Sequence, residues 1–377
     1  MKVFLEVNQL QSSQKTGIST YVDNLCRALL SAKSDVEWVL YGPEVEKAPY
    51  PELKKSKFLG HSAVLRDTQL ILANQFNLGG VPKDIDICHL LAPDFALKRR
   101  NPKTKLISTI YDIAFAYYPE TVKDDDTYRL LCRAIPAQAA DSDQVITISE
   151  SAKSDIVNIL GVDPKKVHVI YPGIDLKRPR AADAHLLDTD PWKELQLPDN
   201  YLLCLGTWEP RKNLSVLFKA VALLKKRMVE QNMFLCMSGI KGWKYAEAEE
   251  LISNLGIEDR IQTLGHVKRE LLPQLYAHAK AFVYPSMYEG FGMPVSEALA
   301  CGTPCITSNT SSLPEAGGDA ALLVDTRTPE PLAEAIERVL DDEALRSDMI
   351  AKGFVHAAKF TWEDAASKHL EVYRGMV

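Results

Sequence analysis

The chain has 377 residues, about two domains' worth at roughly 150 residues each. Hydrophobic residues make up 46% and charged residues 25%, which excludes a disordered chain, a collagen-like chain and a small disulfide-stapled scaffold. Lys+Arg 44 against Asp+Glu 50 leaves a net charge of −6, so the surface as a whole does not attract nucleic acid or anionic lipid.

Short β-like apolar runs come first at 2–7, 36–41, 85–91, 105–111 and 144–148. Amphipathic helical patterns fall between them at 18–30 and about 126–140. Glu6 interrupts the opening apolar run too soon for a signal peptide, so none is expected. The stretch 172–199 carries Pro, Asp and basic residues without apolar periodicity and reads as a linker. A second series of strands follows at 201–206, 233–238, 261–264, 281–285, 304–307 and 321–324. Helices are expected between these strands at about 213–229, 245–255, 269–278, 295–301 and 330–340. A last helical pattern, 362–373, lies past the natural end of the second series.

Alternation of this kind specifies parallel sheets covered by helices on both faces. The expected fold class is α/β, with two doubly wound, Rossmann-like domains facing a central cleft. Residues 1–178 form the first domain, with a helix at 360–377 crossing back to it, and 179–359 form the second. Doubly wound sheets hold ligands beyond the carboxyl ends of their strands, so such a pair suits a two-part substrate. The seven cysteines are scattered, mostly in apolar runs, and read as buried free thiols. No apolar stretch reaches the ~18 residues that a membrane span needs.

The most informative stretch is E-G-F-G-M-P-V-S-E, Glu289 to Glu297, with seven residues between its two carboxylates. It follows an apolar strand and opens a helix, with Pro294 suited to the first turn. Strand, glycine turn and helix start together present backbone N–H groups at a positive dipole end, a site for phosphate or sugar hydroxyls. Gly290 and Gly292 allow close backbone approach, and Glu289 and Glu297 can each accept from a diol. The blander reading makes Glu297 a helix-dipole partner and Glu289 a solvated loop residue.

The second stretch, G-T-W-E-P-R-K-N from Gly206 to Asn213, follows the first strand of the second series. Arg211 and Lys212 are adjacent cations there, able to stabilise charge growing on a diphosphate as a glycosidic bond breaks. Taken alone, the stretch could also be a solvated basic turn with Asn213 as a cap. Thr16-Gly17 precedes the first helix, where a turn glycine is the simpler reading. Asp112, at the carboxyl end of a strand, either orients an acceptor hydroxyl in the cleft or caps its loop. Neither a P-loop nor a dinucleotide fingerprint occurs. Asp84-x-Asp86 lies at a strand entrance and Asp188-x-Asp190 in the linker, so no metal is assigned. His89 and His168 lie in apolar strands and read as core residues.

These residues resemble glycosyltransferase family 4, the retaining family with the GT-B fold, in its mannosyltransferase-like branch. E-G-F-G-M-P-V-S-E-A-L-A-C-G-T-P (289–304) looks like the family's E-x7-E signature, and G-T-W-E-P-R-K-N like its diphosphate-binding turn. T-I-S-E-S-A-K (147–153) and Y-P-G-I-D (171–175) also look typical. The resemblance implies a metal-independent retaining hexosyltransferase without a cofactor. Its donor would be a nucleotide sugar, GDP-mannose favoured, held mainly by the second domain, and its acceptor a saccharide or lipid-linked sugar held by the first. It assigns Arg211 and Lys212 to the diphosphate and Glu297 to the ribose. Glu289 and the amides of Gly290, Phe291, Gly292 and Met293 are assigned to the donor sugar. Gly265-His266-Val267 would line the base, and Gly17 would approach the phosphates.

Many members carry a His before the Asp equivalent to Asp112, and this chain has Tyr111, so no catalytic-histidine role carries over. The expected setting is polysaccharide or glycoconjugate biosynthesis in the cytoplasm or at the inner face of the membrane, with no nucleic-acid partner. Two alternatives are an epimerase or phosphorylase acting on activated sugars, and a non-catalytic sugar-nucleotide-binding protein. The acceptor loops near 60–80 and 113–125 carry no legible motif. Their apolar runs at 70–73 and 115–118 suit either a lipid carrier or core packing.

Overall fold

A computed structural model describes residues 1–11, 17–42, 57–59, 81–91, 101–122, 124–178, 194–240, 242 and 245–377. Thr16, the expected acceptor loop at 60–80 with its run at 70–73, Asp188-x-Asp190 and most of the expected linker lie outside the described residues. The chain forms two compact units, Met1–Gly173 with Phe360–Val377, and Ile174–Lys359.

The first unit begins with β1 (Lys2–Glu6), α1 (Gly17–Ser31), β2 (Glu37–Tyr41) and β3 (Lys57–Leu59). It continues through β4 (Ile87–Leu90), β5 (Lys105–Thr109), the one-turn α2 (Ala114–Tyr117) and α3 (Asp125–Asp141). β6 (Gln144–Thr147), α4 (Glu150–Leu160) and β7 (Val167–Val169) follow. Seven parallel strands pair in the order β3-β2-β1-β4-β5-β6-β7, with β1 in register against β2 from Lys2–Glu37 to Glu6–Tyr41. The inner strands are buried on both faces, which is why V-F-L and I-C-H-L read as continuous apolar runs rather than alternating ones. α1 buries Tyr21, Val22, Leu25, Cys26 and Leu29, a stripe at helical spacing.

The T-I-S-E-S-A-K motif proves to be a strand end joined to a helix start. β6 ends at Thr147, and the Ser149 side chain accepts from Ala152 N at 3.0 Å to cap α4. Lys2 donates to Asp84, and its backbone N–H donates to Asp86 at 2.7 Å, so this D-x-D pair helps fix the sheet entrance.

The last helix, α13 (Trp362–Arg374), belongs to the first unit and buries Trp362, Ala365, Ala366, His369, Leu370 and Tyr373. Trp362 packs edge-on against Tyr21 with ring centroids 5.4 Å apart, and the Tyr373 hydroxyl lies 2.7 Å from His89 Nδ1. Gly173 of Y-P-G-I-D meets the start of this helix, where a Cβ would stand 2.2 Å from Trp362 N. Only glycine permits that approach.

The second unit contains β8 (Asn200–Leu205), α5 (Leu214–Leu223), α6 (Lys225–Glu230), β9 (Met233–Ser238), α7 (Tyr245–Asn254) and β10 (Ile261–Gly265). It then runs through α8 (Leu272–His278), β11 (Ala281–Tyr284), α9 (Met293–Ala300), β12 (Cys305–Ser308) and α10 (Leu313–Gly317). β13 (Ala321–Val324), α11 (Glu330–Asp341) and α12 (Glu343–Ala357) complete it. Six parallel strands take the order β10-β9-β8-β11-β12-β13. The segment after Gly173 is already part of this unit: Arg178 N donates to Ala300 O at 3.1 Å. β3, β7, α2, α4, α10 and α12 were not expected. Three-residue edge strands and one-turn helices are too short to show a period, while α4 carries only two buried residues among eleven and α12 only three among fifteen.

His89 and His369 face each other inside the first unit, with ring centroids 5.7 Å apart. Burial, reinforced by His369, holds His89 well below the usual imidazole range, and burial pushes His369 down to about 4. His369 Nδ1 donates to Ala365 O at 2.7 Å, while its Nε2 has no partner among the described residues. A histidine whose folded pKa lies below its unfolded value of 6.5 stabilises above 6.5 and loses that contribution as pH falls. Chemical denaturation should therefore show the protein losing about 1 kcal/mol between pH 7.5 and 5.5 through His369 alone. His369→Phe should remove that part of the slope, and an unchanged slope would exclude His369 as its source.

Candidate active site

β8 and β11 are neighbours whose connections leave in opposite directions, which opens a crevice at their carboxyl ends. The turn after β8 carries Arg211 and Lys212, and the turn after β11 carries Glu289. Residues 77 positions apart in the chain meet there. Arg211 Nη1 lies 2.8 Å from Glu289 Oε2 and donates to Tyr288 O at 2.7 Å, while its Nη2 donates to Glu209 at 2.6 Å. Lys212 Nζ donates to Glu289 Oε1 at 2.7 Å and to the Tyr284 hydroxyl at 2.7 Å. Ser286 and Tyr284 both donate to the same oxygen, at 2.6 and 3.0 Å.

The Glu289 side chain is 10% exposed. Burial works to raise its carboxyl, but the charges of Arg211 and Lys212 and the bonds from Lys212 and Ser286 outweigh it and bring the group down to about 2. Glu289 is thus an ionised acceptor with no proton to donate at neutral pH. The expected solvated-loop alternative does not hold for it.

The glycine turn continues into α9. Gly292 takes φ +98, and a Cβ there would stand 2.7 Å from Leu313 Cδ2, so no other residue fits without strain. Val295 N donates to Gly292 O, and the Met293 N–H precedes the first intrahelical bond. Gly290 and Phe291 are buried.

Glu297 lies one turn into α9 in a different environment. Tyr276 donates to its Oε2 at 3.1 Å, and Arg269 Nη1 stands 3.6 Å from its Oε1. Burial dominates here and raises the carboxyl to about 7 against the pull of Arg269. Val267 is buried just beyond β10, and Gly265 before it takes φ +66.

The second unit therefore assembles Arg211, Lys212 and Glu289 into one network, with the Gly290–Met293 turn leading from β11 into α9, Glu297 on α9 itself and Val267 just after β10. Asp112 and Gly17 are in the first unit. Asp112 Oδ1 accepts from Ala114 N at 2.9 Å, closing its own turn. Gly17 opens α1, and among the described residues nothing lies within 4 Å of a would-be Cβ. Tyr111 is buried and donates to Leu91 O at 2.7 Å, so it belongs to the core. Sequence reasoning missed Tyr284, Ser286, Tyr276, Arg269 and Asp175. The first two stood within five residues of Glu289, at the end of a strand already assigned.

Two family models match the chain: Glycosyltransferase Family 4 over residues 15–178 and Glycosyl transferases group 1 over 188–355. The chain is 29% identical over 371 residues to O-antigen chain mannosyltransferase B of Escherichia coli, covering 95% of this chain and 96% of that one. The chain belongs to glycosyltransferase family 4. Its GT-B fold is shared with sucrose-phosphate synthase from Thermosynechococcus elongatus (TM-score 0.75, 21% identity, 100% and 99% of the two chains). It is also shared with Anabaena HepE, solved with UDP and glucose (TM-score 0.74, 17% identity, 100% of both chains). As a member of the family the protein is a glycosyltransferase.

The two carboxylates of the motif should titrate stability in opposite directions. Glu289, lowered from 4.5 to about 2, stabilises above 4.5 and loses that contribution as pH falls towards 2. Glu297, raised from 4.5 to about 7, stabilises below 4.5 and loses that contribution as pH rises through 7. At pH 8, Glu289→Gln should lower the melting temperature, at a cost of about 3 kcal/mol. Glu297→Gln should raise it, and a loss of stability at pH 8 in Glu297→Gln would refute the assignment.

Proposed function

We propose that the protein is a retaining, metal-independent hexosyltransferase. It would move mannose from GDP-mannose to a saccharide or lipid-linked acceptor in polysaccharide or glycoconjugate biosynthesis. The observation that carries this reading is the buried Arg211–Glu289–Lys212 network at the switch point of the second sheet. The likeness to a mannosyltransferase over nearly the full length of both chains supports the choice of sugar. A relative solved with UDP and glucose supports a nucleotide-sugar donor.

In this reading the donor diphosphate lies across Arg211 and Lys212, which are desolvated and pre-aimed by Glu289 and Glu209. As the bond from the anomeric carbon to the phosphate oxygen breaks, charge grows on that oxygen beside two fixed cations, which stabilise it without a metal. Glu289, already ionised, holds the cations and accepts from a donor-sugar hydroxyl through its remaining lone pairs. It supplies no acid. Glu297 accepts from the ribose, the Gly290–Met293 backbone meets the sugar, and the Gly265–Val267 turn meets the base. Gly17 would approach the phosphates. Asp112, with one oxygen occupied by its own turn, uses the other to orient the acceptor hydroxyl. Among the described residues no helix is long and apolar enough to cross a membrane. A cytoplasmic enzyme, or one that meets a lipid-linked acceptor at the membrane's inner face, fits the proposal.

A thermal-shift panel of nucleotide sugars should single out GDP-mannose as stabilising in proportion to site occupancy. Lys212→Ala should then lower kcat by about a hundredfold or more while the variant still folds. NMR of the product should show the donor's anomeric configuration, and EDTA should leave the rate unchanged. Near wild-type turnover in Lys212→Ala would overturn the proposal.

A further inference from the structure

The Y-P-G-I-D motif has so far accounted only for Gly173. Its last residue, Asp175, is the second residue of the second unit and forms an ion pair and hydrogen bond with Arg269 Nη2. The other terminal nitrogen of the same guanidinium, Nη1, stands 3.6 Å from Glu297 Oε1. One fork of Arg269 is thus shared by two carboxylates, one at the entry to the unit and one in the E-x7-E helix. The Glu297 side chain is 7% exposed, Arg269 29% and Asp175 38%.

The other groups facing Glu297 are the Tyr276 hydroxyl from α8 and the Cys301 thiol at the end of its own helix. Helices α10 and α12 meet α9 through Ser296 and Leu299: Ser296 donates to Ala316 O at 3.0 Å, and a Cβ on Gly353 would stand 3.2 Å from Leu299 Cδ2. From β12, Cys305 faces Val295 O.

We infer that Arg269 and Asp175 are positioning residues for Glu297, acting in opposition: Arg269 favours the ionised carboxylate and aims it for ligand hydroxyls, and Asp175 draws part of that guanidinium away. The inference rests on the reading of Glu297 as a ribose acceptor. The physical basis is that only an ionised carboxylate offers all its lone pairs to a diol, whereas the protonated acid gives up one oxygen as a donor. A desolvated carboxyl stays ionised at neutral pH only with a cation near it. Arg269 is that cation, and a neighbouring anion weakens its effect, as the opposing influences of Arg269 and Asp175 on the Glu297 carboxyl show. The start of the second unit is thereby tied to the strength of the ligand site.

The test uses the full chain with ¹³C-labelled glutamate, following the Glu297 carboxyl by NMR from pH 5 to 9 with Glu297→Gln to assign it. Arg269→Gln should move its titration to higher pH and Asp175→Asn to lower pH. In parallel, GDP-mannose binding is measured by calorimetry across the same range, using UDP-glucose if GDP-mannose does not bind. Affinity should fall about tenfold for each pH unit below the carboxyl's titration. Arg269→Gln should therefore bind weakly at pH 7 and recover towards pH 9, with partial rescue in Arg269→Lys, while Asp175→Asn should bind at pH 6 as wild type does nearer 7. Shifts in the same direction, or none in either variant, would overturn the inference, since a merely structural role predicts uniform loss. If the titrations move in opposite directions but neither nucleotide sugar binds the wild type, the inference stands for Glu297 and the donor reading fails.

Discussion

The second unit turns on one buried charge. Glu289 is taken almost wholly out of water yet stays ionised, because Arg211 and Lys212 reach it from a neighbouring strand's turn and Ser286 and Tyr284 fill its near oxygen. Burying a carboxylate alone is prohibitive, and burying two adjacent cations alone is equally so. Each is tolerable only with the other present, so the turns after β8 and β11 are locked together at the place where parallel-sheet topology opens a crevice. The same lock presents two fixed cations to whatever enters it, which ties the stability of the unit to its chemistry.

The second carboxylate of the motif shows how little spacing alone says. Glu297 sits one turn into a regular helix, with seven residues between it and Glu289, and its partners are a tyrosine and one guanidinium shared with Asp175. Its carboxyl is raised where that of Glu289 is lowered. Two identical side chains in one motif thus receive opposite tasks from burial and charge. One is a permanent anion that fixes cations, and the other is poised near neutrality.

The first unit is arranged differently. Its chemistry-bearing candidates are modest: Asp112 closes its own turn and Tyr111 donates into the core. What distinguishes this unit is the return of α13, whose Trp362, His369 and Tyr373 pack against α1 and β4 through a buried aromatic and imidazole cluster. Y-P-G-I-D is the pivot of both arrangements, with Gly173 yielding space to Trp362 and Asp175 already bound to Arg269.

Much of this was legible from residues alone. Apolar runs alternating with amphipathic stretches announced two doubly wound sheets, because strands buried on both faces must be apolar throughout and helices covering them must carry a stripe. The placement of the glycine turn at 289–297 and of the cations at 211 and 212 between a strand and a helix was legible, since that local order is itself sequence. The short edge strands β3 and β7 and the weakly striped α12 were not, for want of any period to read. Nor could the sequence show that Glu289 clasps Arg211 and Lys212, that Glu297 shares Arg269 with Asp175, or that Tyr111 is a core residue. Those facts are pairings between positions tens of residues apart, and they depend on strand order and desolvation, which exist only once the sheets have closed. The residues determined which chemistry was available, and the tertiary fold decided which carboxylate keeps its charge.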